Sequence, residues 1–212
     1  MAKKKIAIFG AGGHGKVLLD ILLESGAAVA GFLDDDPKKA GAVVCGLKVL
    51  GGFAFLEGKT SSLSLALGIG DNKIRRKIYE KATAAGVEVV SAVHPRAFVS
   101  RLATVGRGAA IMAGAVVNAC AMIGEGAVVN TGATVDHDCR LERFCQLWPG
   151  AHLAGTVRVG EASYIGTGAS VIPNITIGKD VVVGAGAAVV SDIADCTVVV
   201  GVPARPVRKD AS

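Results

Sequence analysis

Asp136-His137-Asp138 is the one place in this 212-residue chain where a histidine stands between two carboxylates. An imidazole exchanges protons near neutral pH, and a neighbouring carboxylate can orient the ring and stabilise its cation. Either Asp136 or Asp138 fits that role; a solvated polar corner without chemistry is the competing reading. A second pattern opens the chain. Gly10-Ala11-Gly12-Gly13-His14-Gly15 follows the apolar run Lys5-Ile6-Ala7-Ile8-Phe9 and precedes the helical spacing of Lys16 to Glu24. Glycines spaced this way permit a tight turn and close backbone approach, and the helix N-terminus offers free N–H groups to phosphate. A further apolar run, Ala27 to Leu33, closes on Asp34-Asp35-Asp36. Asp34 follows Gly15 at close to the roughly 20-residue distance of a ribose-reading acid. Taken alone this points to NAD, although His14 replaces the small residue usual in such a turn.

Two kinds of element must position these groups. Strand, glycine turn, helix, strand and terminal acid form the opening of a Rossmann-like βαβ unit. Leu63 to Ile69 adds a strand-like run ending at Gly70-Asp71-Asn72, before the helical stretch Lys73 to Ala85. That places Gly70 at the carboxyl edge of the sheet shared by Gly12 and Asp34, where open α/β sheets bind ligands. From Val93 the pattern changes, and every sixth residue through Val189 is aliphatic. The fifth position of each hexad is mostly small, with Ala97 and Ala103 through Cys139, Cys145 and Ala151. A fixed six-residue period predicts a parallel β-helix, with aliphatics stacked inward and small residues in the tight corners. The expected organisation is a Rossmann-like domain over residues 1–90 and a β-helix over 91–212. His137 takes the third position of its hexad, on a turn or facing outward. Cys139 and Cys145 hold the small inward position and read as filler.

Composition excludes other classes. Half of the chain is hydrophobic (51%) while 19% is charged and 4% aromatic, which rules out disorder and favours a narrow core of small and β-branched residues. The net charge of +5 is spread over scattered Lys and Arg without interleaved aromatics, so no nucleic-acid partner is expected. Five cysteines without a C-x-x-C pair, and a start too short for a signal core, indicate reduced thiols and a cytoplasmic protein. The uncharged stretch Gly108 to Gly124 approaches membrane-helix length, but its period and its Gly and Asn118 argue against insertion.

Together these marks resemble one family. Gly10-Ala11-Gly12-Gly13-His14-Gly15, Phe32-Leu33-Asp34-Asp35, Gly68-Ile69-Gly70-Asp71-Asn72, Asn130-Thr131-Gly132-Ala133, His137-Asp138-Cys139 and Gly201-Val202-Pro203-Ala204-Arg205 occur in the order found in bacterial sugar O/N-acetyltransferases. That group includes the sialic acid O-acetyltransferases and the nucleotide-linked amino-sugar N-acetyltransferases. The resemblance implies a left-handed β-helix, a homotrimer, and acetyl-CoA as donor between adjacent β-helices, with no metal. The N-terminal domain is then implied to bind a nucleotide sugar, not NAD. Gly12, Gly13 and His14 match the phosphate-side turn, Asp34 and Asp35 the nucleoside-side acids, and Gly70 a third loop. His137 matches the catalytic base and Asp138 the carboxylate that raises its basicity. Asn130, Gly155 and Thr167 fall where the family contacts the donor. Many members carry a second histidine nine residues after the first; here that position is Gln146, which can donate a hydrogen bond to donor but cannot titrate.

The resemblance implies acetyl transfer to the amino group of a nucleotide-linked sugar, with transfer to a sugar hydroxyl as the alternative. A β-helix zinc hydratase and a non-catalytic nucleotide-binding trimer are further rivals. The zinc reading is weakened because His137 and His152 are out of phase in the repeat. Uncharged small-residue faces over Gly108–Gly124 and Val181–Ser191 are seldom left to water, and a closed three-fold ring would cover them.

Overall fold

The computed structural model describes residues 4–207, which fall into two compact units dividing between Pro95 and Arg96. In the N-terminal unit, β1 (Lys5–Phe9), β2 (Val29–Leu33), α1 (Gly13–Glu24) between them, β5 (Leu63–Leu67), α2 (Asn72–Ala84) and β6 (Glu88–Val89) build a parallel sheet in the order β2-β1-β5-β6. Between β2 and β5 a small antiparallel hairpin pairs β3 (Val43–Val44) with β4 (Leu47–Lys48). Ala7, Ile8, Leu65 and Ala66 are fully buried, as expected of central parallel strands covered on both faces.

Three glycines make the close packing possible. A Cβ on Gly15 would overlap the carbonyl oxygen of Gly10, and one on Gly68 would meet the Gly15 Cα at 2.8 Å. Gly10 also has φ +105°, open to glycine and few others. Helix α1 therefore starts at Gly13, three residues before the helical spacing becomes visible in sequence, because Gly15 must lie against the β1 end. At its other end the Ala27 N–H donates to Leu22 O, so β2 begins at Val29 and not at Ala27. Helix α2 is capped by Asp71, whose carboxylate accepts from the Ile74 N–H at 2.8 Å.

In the second unit each hexad forms a two-residue strand and a turn. Three parallel sheets result, each pairing a residue with the one 18 positions on: Val117 with Val135 and Val135 with Leu153. One sheet carries the strands Ala110–Ile111, Val128–Val129, Gln146–Leu147 and Tyr164–Ile165. A second carries Val116–Val117, Thr134–Val135 and His152–Leu153, and the third Met122–Ile123, Arg140–Leu141 and Arg158–Val159. The inward aliphatics and the alanines two residues before them fill the solenoid, with Cys139 and Cys145 completely buried among them. Neither cysteine is disulfide-bonded.

The corners share one conformation. Gly108, Gly114, Gly126, Gly132, Gly150 and Gly168 have φ between +62° and +70°, and at the same step of the repeat Cys120, Asp138, Phe144 and Thr156 adopt it without being glycine. Each non-glycine there costs about 1–2 kcal/mol, offset by the inter-coil hydrogen bonds that the corner makes. The uncharged stretch over 108–124 is coil and strand of this solenoid, and no helix among the described residues is long and apolar enough to cross a membrane.

Candidate functional site

At the carboxyl edge of the N-terminal sheet lies a pocket of about 300 Å³, lined by Gly10, Gly12, Asp34, Asp35, Lys39, Gly68, Ile69, Ile74 and Ile78. Gly12 caps α1 and Gly13 opens it, and a Cβ on either would meet nothing within 4 Å. The motif glycines thus divide: Gly10 and Gly15 serve packing, while Gly12 and Gly13 leave the helix N-terminus approachable. No acidic side chain sits in the first turn of α1. His14 follows, its Nε2 shut from solvent and without a hydrogen-bond partner. Burial and the Arg75 charge hold its pKa down at about 4, so the ring is neutral.

The acidic run is already engaged within the chain. Asp34 Oδ2 accepts from the Ala11 N–H at 3.0 Å and from Lys39 Nζ at 2.7 Å, while its Oδ1 accepts from the Asp36 N–H. Burial pushes the Asp34 carboxyl up, but Lys39 and the two backbone donors hold it below the usual value. Asp35 Oδ1 accepts from the Phe53 N–H at 2.8 Å. Gly70 is outside the pocket lining; its carbonyl and that of Ile69 accept from Arg75, which is fully buried and also donates to Asn72 Oδ1 at 2.6 Å. Lys39 and Arg75 carry no motif in the sequence. Their roles come from local chain reversals that bring Lys39 back to Asp34 at the end of β2 and Arg75 under the Ile69–Gly70 loop.

The solenoid carries the second site. His137 and Asp138 occupy the corner between the strands Thr134–Val135 and Arg140–Leu141, both side chains 58% exposed. His137 Nδ1 stands 2.8 Å from Asp138 Oδ2. Asp136 Oδ1 instead accepts from the His137 N–H at 2.8 Å and from Asn118 Nδ2 at 2.9 Å. The structure therefore chooses between the two carboxylates: Asp138 holds the ring and Asp136 the backbone. The Asp138 hydrogen bond, with the Asp136 charge, raises the His137 pKa above its ordinary value. With Nδ1–H donated to Asp138, Nε2 is the basic nitrogen. Among the described residues no three His, Cys, Asp or Glu side chains are grouped to hold a metal ion. His152 is engaged elsewhere, 2.9 Å from Thr134 Oγ1.

Comparison with known proteins gives this geometry a context. Residues 5–82 match the PglD N-terminal domain. A UDP-N-acetylbacillosamine N-acetyltransferase of Bacillus subtilis (strain 168) is 36% identical over 120 residues, 51% of this chain and 51% of that protein. A GDP-perosamine N-acetyltransferase of Escherichia coli O157:H7 is 31% identical over 165 residues, covering 76% and 74%. The crystal structure of PerB from Caulobacter crescentus, in complex with CoA and GDP-perosamine, superposes with a TM-score of 0.92 at 44% identity over 98% of this chain and 99% of that one. The chain belongs to the bacterial nucleotide-sugar N-acetyltransferases. It spans about half the length of the Bacillus relative, and 19% of a longer Acanthamoeba polyphaga mimivirus protein that it also resembles.

The remaining candidate residues fall into two groups. Gly155 is at the same corner as His137, one coil on, between the strands His152–Leu153 and Arg158–Val159. Asn130 and Thr167 lie at a different corner, following Val128–Val129 and Tyr164–Ile165. Asn130 Oδ1 accepts from the Thr131 N–H at 2.8 Å. Gln146, 3% exposed, stands in register with Val128 and Tyr164 on a sheet that does not border the His137 corner. One copy of the solenoid does not bring His137 together with Asn130, Gln146 and Thr167.

Proposed function

We propose that this chain transfers the acetyl group of acetyl-CoA to the amino group of a nucleotide-linked amino-deoxy sugar. The observation that carries the reading is the His137–Asp138 pair, an exposed dyad with its basic nitrogen free of the carboxylate. The pocket beside Gly12 and Gly13 takes the nucleotide sugar. Its diphosphate meets the N-terminal N–H groups of α1, and Asp34, held by Lys39, and Asp35 face the nucleoside. The sugar amine attacks the thioester carbonyl and forms the C–N bond. His137 Nε2 takes the proton that the nitrogen loses, and Asp138 stabilises the imidazolium. Collapse of the tetrahedral intermediate breaks the C–S bond, and the imidazolium returns its proton to the departing thiolate. Asn130 or a backbone N–H stabilises the oxyanion, and Gln146, Gly155 and Thr167 contact the donor.

The separation of the donor residues over two corners supports a homotrimer. A three-fold ring of parallel prisms sets the His137 corner of one subunit against the Asn130–Thr167 corner of the next, making three equivalent clefts. Exposed thiols at Cys45, Cys120 and Cys196 suit a reducing cytoplasm. The product, an N-acetylated nucleotide sugar, is chemically an activated donor for glycan biosynthesis. The test incubates the purified protein with acetyl-CoA and a panel of amino sugars linked to UDP, GDP, CMP or dTDP, reading released thiol. Turnover with an amino sugar and not with its hydroxyl counterpart is expected. Turnover confined to hydroxyl sugars, or none with any acceptor, overturns the reading.

A further inference from the structure

We propose that Gly155 is a positioning residue for His137, its missing side chain forming the seat on which the imidazole rests. An ideal Cβ on Gly155 would lie 2.6 Å from both Cε1 and Nε2 of His137 and 3.3 Å from Cδ2. The ring is therefore held on two sides: Asp138 engages Nδ1 at 2.8 Å, and the bare Cα of Gly155 bounds the Nε2 edge. A methyl group there cannot coexist with the ring where it now lies. Because Nδ1 is tied to Asp138, displacement of the Nε2 edge strains or breaks that hydrogen bond.

The solenoid itself does not ask for glycine at this position. The φ of Gly155 lies outside the left-handed region. The residues at the same step of this corner on the neighbouring coils are Ala119, His137 and Pro173, all with a Cβ. At this step of the repeat, from Arg101 to Ala185, Gly155 is the sole glycine. The backbone at the corner is regular: Asp138 N–H donates to Ala119 O, Thr156 N–H to His137 O and Asn174 N–H to Gly155 O, at 2.9 to 3.1 Å. What distinguishes position 155 is the imidazole lying over it. The charged groups acting on His137 are Asp138 and Asp136 of its own corner, and Ala119 and Gly155 on the flanking coils carry none. Loss of the Asp138 contact therefore lowers the His137 pKa.

This inference rests on the acetyl-transfer reading for its kinetic consequence but not for its geometry. In Gly155→Ala we expect kcat to fall by about 10- to 10²-fold, the scale of an ångström-sized misplacement. The acid limb of the kcat profile moves to lower pH, and kcat changes by more than the acetyl-CoA KM. The control Ala119→Gly leaves both parameters as in wild type. A raised acetyl-CoA KM with kcat and its acid limb in place overturns the proposal, assigning Gly155 to the donor wall alone. Two readouts need no substrate. Proton NMR of ¹³C-histidine-labelled protein should show an NOE between the Gly155 Hα and His137 Hε1 in wild type, and a lower His137 pKa in Gly155→Ala. Absence of that NOE overturns the proposal even where the variant fails to fold or the wild type proves to acetylate nothing.

Discussion

His137 Nδ1 and Asp138 Oδ2 lie 2.8 Å apart although the two residues are consecutive in the chain. In extended backbone, neighbouring side chains point to opposite faces and cannot meet. Here Asp138 has φ +59°, the corner conformation of the repeat, which breaks that alternation. Aspartate tolerates this conformation better than most residues, so the carboxylate that holds the ring and the corner-former are the same residue.

If His137 is the general base, His137→Ala lowers kcat by about 10²–10⁴-fold, the usual worth of such a group. Because the ring is exposed and fills no core, the melting temperature and oligomeric mass should stay as in wild type. Near-normal turnover by the intact variant would remove His137 from the reaction.

The pH profile separates the two carboxylates. A general base works when neutral, so activity is lost as pH falls through the His137 pKa, which Asp138 and then Asp136 raise. In Asp138→Asn the pKa drops toward its ordinary value and the acid limb moves to lower pH. The plateau meanwhile falls by on the order of 10²-fold, because an amide no longer fixes the tautomer. Asp136→Asn shifts the limb in the same direction but by less, with the plateau nearly retained, since Asp136 holds backbone and not ring. Equal plateaus in the two variants would contradict this division of labour.

The glycines of the first turn make a contrasting pair. Gly15→Ala forces a methyl group onto the Gly10 carbonyl and costs about 1–3 kcal/mol as overpacking, read as a fall of several degrees in melting temperature. Gly12→Ala adds a methyl in open space and leaves stability unchanged, but raises KM for the nucleotide sugar. A thermal shift on Gly12→Ala comparable with that on Gly15→Ala would show that both glycines serve packing.

Much of this architecture is legible in the sequence because a short-range rule generates it. An aliphatic at every sixth residue and a small residue two before it dictate the coil, and His137 stands out as a titratable group on a corner. The residue pattern alone does not choose Asp138 over Asp136, since that depends on the sign of one φ angle; only the family resemblance points to Asp138. The engagement of Asp34 and Asp35 is hidden for another reason. Their partners Ala11 and Phe53 lie 23 and 18 residues away and meet them only after the sheet assembles. Helix spacing likewise misses the Gly13 start of α1, because glycines carry no helical signal and tertiary packing alone sets that turn.

The last prediction follows from the two corners. His137 and Gly155 share one edge of the prism, while Asn130 and Thr167 share another; with the donor roles proposed above, a complete site needs two subunits. His137→Ala spoils the first edge; Thr167→Trp, placing a bulky ring on the donor wall, spoils the second. Each variant alone should be nearly inactive as a folded trimer. In trimers co-expressed from both genes, a site regains function wherever an intact first edge meets an intact second edge across an interface. With equal expression and random mixing that is about a quarter of the sites in a ring of heterologous contacts. Recovery of activity toward this fraction in the co-purified mixture, and not on mixing the separately folded trimers, is the expected result. If the mixture stays as inactive as its parents, the site is built within one subunit and the three-fold arrangement plays no part in it.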